Sequence, residues 1–558
     1  MTLTTAEQAT FVDVLRWRSA QAPDRCAFSF LSDGGPDEVA LSYAELDARA
    51  RGVAALLQTN GSIGDRALLI YPPGMDFVVA LFGCLYAGWI AVPTPRQGQA
   101  SLLSIARDAR PAVALCTAAT QAQMRPVLAA EPDLSGVAWL ATEALPIGVA
   151  EAWCEPVQTP DDLAILQYTS GSTASPRGVM VSHANLLHNT RQIERRFEID
   201  PDSRGVIWLP PFHDMGLIGG VLQGVQSGFP IALMPPVAFL RRPARWLEAI
   251  TRKRATISGG PNFAYDVCVE RITPAERVGL DLSTWDVAFN GAEPVRAATL
   301  ERFVDAFAGC GFKKEAFYPC YGLAEATLMV SGGRRSEAPR TVERQDGTRA
   351  VSCGSVIDDQ ELRIVDAATC LELPDGQVGE IWVRGPSVAH GYWQQPDLSR
   401  QTFGARLNDT LAGPYLRTGD LGFLHAGEVY ITGRLKTLLI VGGRNLHAED
   451  VEETVASSHP DGWPGGVAAV SIDEAGRERL VVLQEVATRS TSDLDAIVRA
   501  IRLRVAELHQ VPVSTVVLLR PGNIPRTSSG KVRRYVCRDA FLSGSLEALL
   551  EWRLAPRR

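Results

Sequence analysis

The sequence predicts a large layered α/β domain with a β-rich subdomain, followed by a small α+β domain at the C-terminus. Three observations lead there. At 558 residues the chain exceeds what one hydrophobic core fills, so it divides into at least two domains. Short apolar, strand-like runs alternate with longer helical patterns to about residue 330. From about Val351 short strands and turns replace that alternation.

Taken in order, Ser42-Tyr43-Ala44-Glu45 has the spacing of a capping box and opens an Ala/Leu-rich helix to about Gln58. Residues 66–71 read as a strand, Pro72-Pro73-Gly74 as a turn, then a helix to Tyr86 and a strand over 89–92. Runs 110–116 and 137–140 continue the pattern, 163–166 is a buried strand, and 182–196 is helical. Two uncharged runs, 77–95 and 215–240, are long enough to cross a bilayer. Gly83, Gly88, Pro93 and Pro95 break the first, and Gln223, Gln226, Ser227 and prolines interrupt the second. Both read as a buried helix followed by a buried strand, so no membrane span is expected. Later strands are expected over 361–365, 379–383 and 428–431, with a junction between 434 and 440. Strands 467–472 and 479–485 flank an Asp-Glu-Ala-Gly turn, and 513–519 is another strand. Between them, 493–509 sets Leu494, Ile497, Val498, Ile501, Val505 and Leu508 on one helical face. This last part is a unit of roughly 120 residues, within the usual domain range.

Hydrophobic content of 46% with 21% charged residues is ordinary for a globular enzyme. A net charge of -8 argues against nucleic acid as a partner. Ten scattered cysteines without a Cys-x-x-Cys pair favour a reducing cytoplasm and no structural zinc. The first residues lack a signal-peptide layout.

The chemistry begins at residues 168–179. Thr169, Ser170, Ser172 and Thr173 supply hydroxyls, Gly171 and Gly178 allow tight turns, and Arg177 supplies one cation. Small residues let backbone N–H groups point inward at a polyphosphate, and the guanidinium forks onto phosphate oxygens. Such clusters are ordinarily plain loops, and this one is not a Walker loop. Downstream stand further pieces: His213 and Asp214 within 208–217, Gly259-Gly260-Pro261-Asn262-Phe263 and Asn290-Gly291-Ala292-Glu293. The last two read as Gly-rich turns after strands, where a parallel sheet binds ligands. Tyr321-Gly322 precedes Glu325, a carboxylate suited to magnesium; Asp420 suits two ribose hydroxyls, and Arg434 the same ribose or a phosphate. Only five lysines stand against fifty arginines, so Lys531 on its Gly/Ser-rich loop points to a task a broad guanidinium cannot do. Each piece alone is weak; their order and spacing carry the signal.

Together these stretches resemble the adenylate-forming superfamily across essentially the whole chain, and within it the fatty acyl-AMP ligases. The segments 208–217, 239–250, 259–265, 317–328 and 439–445 carry the subgroup likeness. The phosphate loop departs from the family pattern at Ala174 for glycine and Arg177 for lysine. The resemblance implies ATP and Mg2+, an acyl-AMP intermediate and a thiol acceptor. It implies that residues 169–178 grip the triphosphate, that Glu325 and Thr173 hold the metal, and that Gly291, Ala292 and Tyr321 frame the adenine, with Glu293 and Gly322 also among the cofactor-binding residues. Asp420 and Arg434 would hold the ribose, and Lys531 would approach the reacting carboxylate, with Glu325 and His213 as the other catalytic candidates. Phe212, His213, Met215, Gly260, Pro261, Asn262 and Phe263 would line the acyl site. Lys436 takes the hinge position, giving domains 1–433 and 437–558 around a hinge at 434–436.

Amino-acid-activating relatives place aspartate directly after the phenylalanine that here is Phe212; this chain has His213 there, which argues for a fatty or other alkyl acid. The insertion that fatty acyl-AMP ligases carry, and that favours a carrier protein, is short here: seventeen residues, Arg334 to Ala350. Transfer to an acyl carrier protein is the first expectation and coenzyme A the alternative, in fatty-acid or natural-product metabolism. A non-catalytic adenylate-binding protein would have lost Lys531, Glu325 or Asp420, and all three are present.

Overall fold

The computed structural model describes residues 8–95, 99–131, 134–146, 148–169, 176–344, 349–441, 444–474, 477–487, 493–509, 511–527 and 531–554. Among these, a six-stranded sheet runs Ala138–Ala141, Val113–Cys116, Arg66–Ile70, Ile90–Pro93, Leu163–Thr169, Arg177–Ser182. Its strands are parallel except for the last, which turns back on its neighbour and pairs Thr169 with Arg177. A nine-stranded sheet is built around the parallel strands Ile231–Leu233, Gly205–Ile207, Ile257–Gly260, Val287–Asn290 and Phe317–Gly322.

The first uncharged run is the helix Met75–Ala87, buried along nearly its whole length, and the strand Ile90–Pro93. It packs against the helix Tyr43–Gln58, whose capping box is formed by Ser42 and Glu45. A Cβ on Gly83 would lie 2.4 Å from a Val53 methyl, so the glycine sets how closely the two helices approach. Burying each large apolar side chain here stabilises by about 1.5–3 kcal/mol. The second run is a chain of short helical turns from Asp214 to Ser227, then the strand Ile231–Leu233 and the helix Pro236–Arg241. No helix among the described residues is long and apolar enough to cross a membrane.

The β-rich part is an antiparallel sheet of Glu361–Val365, Gly379–Arg384, Leu416–His425 and Glu428–Arg434. The third strand is not anticipated from sequence, because Arg417-Thr418-Gly419-Asp420 breaks its apolar alternation. The segment Arg334–Ala350 contributes the paired strands Thr341–Glu343 and Arg349–Val351; Arg349 forks onto Glu301 at 2.8 Å.

The C-terminal part has its own sheet, Gly462–Glu474, Arg477–Val486, Val513–Leu519 and Ala548–Arg553, and its own cores. On the helix Leu494–His509 the residues Ile497, Val498, Ile501 and Val505 are buried as expected, but Leu508 is half exposed because the stripe outruns the packed part of the helix. Arg296–Glu453 and Arg344–Asp450, each at 3.3 Å, tie this part to the large one.

Candidate functional site

A cleft of about 2200 Å³ runs between the carboxyl ends of the nine-stranded sheet, the β-rich part and the C-terminal part. Its apolar limb is lined by Trp208, Met215, Leu240, Phe263 and Leu328. Gly259 and Gly260 are not in a turn, as the sequence suggested, but within the strand Ile257–Gly260. A Cβ on Gly259 would lie 2.1 Å from the Phe289 carbonyl oxygen, and one on Gly260 2.7 Å from the Trp208 ring. Pro261 caps the helix Asn262–Arg271 that follows.

The side chains around this limb hold one another. Gln167 donates to the Phe212 carbonyl at 2.9 Å. His213 Nδ1 lies 2.7 Å from Asp214 Oδ1, which also accepts from the Met215 N–H at 2.7 Å. Burial works to raise the Asp214 carboxyl, but His213 foremost, with Lys531 and the Met215 N–H, holds it below the usual carboxylate range. Asn262 engages its amide within the protein, donating to Thr299 at 3.0 Å and accepting from the Arg296 N–H at 3.1 Å. Glu293 accepts from the Phe263 N–H at 2.7 Å and so joins the turn at 291–293 to the helix Asn262–Arg271; burial raises its carboxyl above the usual range.

At the other limb, Asp420 and Arg434 face each other across adjacent strands. Arg434 Nε lies 2.7 Å from one Asp420 oxygen and the Tyr321 hydroxyl donates to the other at 2.8 Å. Asp420 raises the Arg434 guanidinium, while burial raises the Tyr321 phenol. The segment carrying Asp420 is pinned by Glu380, which accepts from the Gly419 N–H at 3.2 Å, from Trp382 at 2.9 Å and from Arg417 at 2.7 Å. Gly291 backs onto Cys320, where a Cβ would meet the carbonyl oxygen at 2.8 Å, and Ala292 is in a left-handed conformation with φ 66°. Gly322 has the Leu328 carbonyl where a Cβ would be, 1.7 Å away.

Glu325 lines the same limb; burial raises its carboxyl, and one oxygen accepts from the Tyr392 hydroxyl at 2.9 Å. Thr169 ends its strand opposite Arg177, and Ser170, Gly171, Ser172 and Thr173 lie outside the described residues. Lys436 falls in the single helical turn Leu435–Thr437. Lys531 enters the cleft from the C-terminal part. Burial lowers its ammonium below the ordinary lysine value and Arg434 lowers it further, while Asp214, Glu293 and Asp420 pull it back up. Carboxylates from both limbs thus act on one ammonium.

Sequence reasoning missed Tyr392, Glu380 and Gln167. Tyr392 follows a glycine and precedes Trp393, which reads as core packing. Glu380 and Gln167 stand alone within strand-like runs, with no spacing to mark them.

The cleft brings Arg177, Asp420 and Lys531 beside an apolar limb, an arrangement in keeping with an adenylate-forming enzyme, and residues 15–393 match the AMP-binding enzyme family. The chain belongs to that family. Residues 436–550 match the AMP domain of the Disco-interacting protein 2-like family. Within the superfamily the chain is most like the fatty acyl-AMP ligases. It is similar to the medium-chain-fatty-acid–[acyl-carrier-protein] ligase JamA of Moorena producens, 42% identical over 97% of this chain and 96% of that one. It is also similar to a long-chain-fatty-acid–AMP ligase of Mycobacterium marinum, 37% identical over 96% and 98% of the two chains. Among solved structures, the fatty acid AMP ligase from Legionella pneumophila superposes with a TM-score of 0.76 at 41% identity, covering 98% of each chain.

Proposed function

We propose that this enzyme activates a fatty or other alkyl carboxylic acid with ATP to give acyl-AMP and pyrophosphate, then passes the acyl group to the phosphopantetheine thiol of an acyl carrier protein. The observation that carries this reading is the position of Lys531, whose ammonium feels Asp214 and Glu293 on the acyl side and Asp420 and Arg434 on the ribose side. A substrate carboxylate and an α-phosphate would meet there.

In the first step a carboxylate oxygen bonds to the α-phosphorus as the bond to the bridging oxygen breaks and pyrophosphate leaves. Lys531 and Arg177 offset the charge that builds up. Asp420, fixed by Tyr321 and Arg434, accepts from the ribose hydroxyls. Gly291, Ala292, Tyr321 and Gly322 form a flat wall for the adenine, and Glu293 holds that wall to the acyl-side helix. His213, Met215 and Phe263 contact the acyl chain or its head, and Gly260 leaves its backbone open to it. Mg2+ would neutralise phosphate charge, and the Glu325 carboxylate, a hard oxygen donor with one oxygen already oriented by Tyr392, fits such an ion. Thr173 would be its partner ligand. In the second step the thiol sulfur attacks the acyl carbon, its proton is released, and AMP leaves.

The C-terminal part, residues 437–558, would pivot at 434–436 around Lys436 between the steps, against a body formed by 1–433. The ten cysteines are all free, as in a reducing cytoplasm. The short segment Arg334–Ala350 keeps coenzyme A as the second reading.

The test is a product assay. Protein, ATP and Mg2+ are combined with short- to long-chain fatty acids and either coenzyme A or a phosphopantetheinylated carrier protein, and products are read by mass spectrometry. Acyl-AMP that persists with coenzyme A and is consumed by the carrier is the expected result. Acyl-CoA formation would select the second reading, and no adenylate from any acid would overturn both.

A further inference from the structure

We infer that Tyr392 is a positioning residue that couples the phosphate-loop cation Arg177 to the metal-side carboxylate Glu325; this rests on the adenylating function proposed above. The strand Arg177–Ser182 leaves the phosphate loop with Leu163–Thr169 on one side. Its other side is occupied by residues 390–393. The Trp393 N–H donates to the Gly178 carbonyl at 2.8 Å, the His390 N–H to the Met180 carbonyl at 3.0 Å, and the Met180 N–H to the Gly391 carbonyl at 2.9 Å. Val179 and Tyr392 form an antiparallel bridge. The short segment therefore acts as an extra strand on the exit from the loop.

Its tyrosine is fixed in turn. Tyr392 is 3% exposed, its N–H donates to Ser399 Oγ at 2.9 Å, and Phe403 packs edge-on at 5.2 Å. Gly391, with φ 126°, lets the chain turn here; a Cβ would lie 2.9 Å from Ser399 Oγ. The two functional ends of the ring then point at two different groups. The hydroxyl donates to Glu325 Oε1 at 2.9 Å, and the Arg177 guanidinium lies 5.4 Å from the ring centroid. Glu325 is held by its backbone as well, its carbonyl accepting from the Ala389 N–H at 2.9 Å.

This arrangement gives Arg177 a physical role that lysine fills less well. A planar guanidinium lies against the Tyr392 ring, close enough to interact with its hydroxyl as well, and can still present N–H groups to phosphate oxygens. Two groups that must address one triphosphate, from different elements, are thereby set at a fixed separation by one rigid side chain.

Two variants separate the ring from the hydroxyl. Equilibrium ATP binding is measured by calorimetry with and without Mg2+, alongside pyrophosphate release and thermal unfolding. Tyr392→Phe keeps the ring, so metal-free ATP binding stays within about twofold of wild type, while the Mg2+ concentration that gives half of the metal-dependent gain rises about tenfold. Tyr392→Leu removes the ring as well, and metal-free ATP binding itself weakens about tenfold. A Tyr392→Phe protein with wild-type Mg2+ dependence would overturn the inference. So would a proportional fall of every parameter together with the unfolding temperature, the mark of a packing role. If Tyr392→Leu does not fold, Tyr392→Phe decides alone. Wild type that binds ATP but yields no adenylate would overturn the proposed function and leave the Tyr392 comparison readable from binding.

Discussion

Arg177 and Lys531 bring positive charge to one cleft from opposite ends of the chain, and they are held in different ways. Arg177 begins a strand that is hydrogen-bonded on both sides and rests over a buried ring. Lys531 closes a loop in which the Lys531 N–H donates to Thr527 Oγ at 3.0 Å and the Arg533 N–H to the Pro525 carbonyl at 2.9 Å. That loop is anchored one turn further on. Arg534 lies 2.8 Å from Glu449 and 2.7 Å from Glu452, and Glu449 also accepts from Thr437 Oγ at 3.2 Å, beside the junction. The first cation is built into the sheet; the second belongs to a part with its own core. Arg177 combines its charge with a planar face set on the Tyr392 ring. Lys531, in the role proposed for it, brings a compact ammonium under the influence of Asp214, Glu293 and Asp420.

The comparison breaks first at Lys531. Lys531→Arg is expected to slow acyl-AMP formation about 10²–10³-fold in single-turnover pyrophosphate release, while transfer from supplied acyl-AMP survives. A loss below tenfold would erase the distinction between the two cations. Arg534→Met strips a mostly buried carboxylate pair of its partner. It should cost about 3 kcal/mol in denaturant unfolding and slow adenylation more than it raises the KM for ATP. Equal effects on both would make the anchor a matter of folding only.

A pH profile sharpens the contrast. In the role proposed for it Lys531 works protonated, and burial lowers its ammonium, so the adenylation rate should fall on the alkaline side at a lower pH than an ordinary lysine would give. Asp214 pulls the ammonium up, so Asp214→Asn should move that alkaline limb to still lower pH. An unmoved limb would remove Asp214 from the lysine's surroundings. The smallest effect is expected at Arg177→Lys, a rise of about threefold in the KM for ATP, because the charge is retained and only its planar seat on the Tyr392 ring is lost.

Much of this site was legible because its parts are short, charged or Gly-rich stretches that have no other ready use. Asp420, Arg434 and Lys531 could be picked out as side chains. Their relations could not. That Asp420 stands opposite Arg434 is a matter of strand register, and the strand carrying Asp420 is hidden by its own polar residues. Glu293 reads as part of an adenine turn, yet its carboxyl reaches the acyl-side helix, a contact made across two strand ends. Tyr392 was invisible because a buried aromatic ring gives the same signal whether its hydroxyl is idle or bound to Glu325. The uncharged helix Met75–Ala87 was easier, since glycines and prolines in a run of that length already argue for protein rather than lipid around it.

The pairs Arg296–Glu453 and Arg344–Asp450 bridge the large and small parts across partly exposed ground. Attraction between such charges is screened as the Debye length falls from about 10 Å at 0.1 M salt to about 3 Å at 1 M. Plain sodium chloride thereby becomes a dial on how long the small part dwells against the large one. With the pivot proposed at 434–436, low ionic strength should hold the small part against the large one for longer, and high ionic strength should release it sooner.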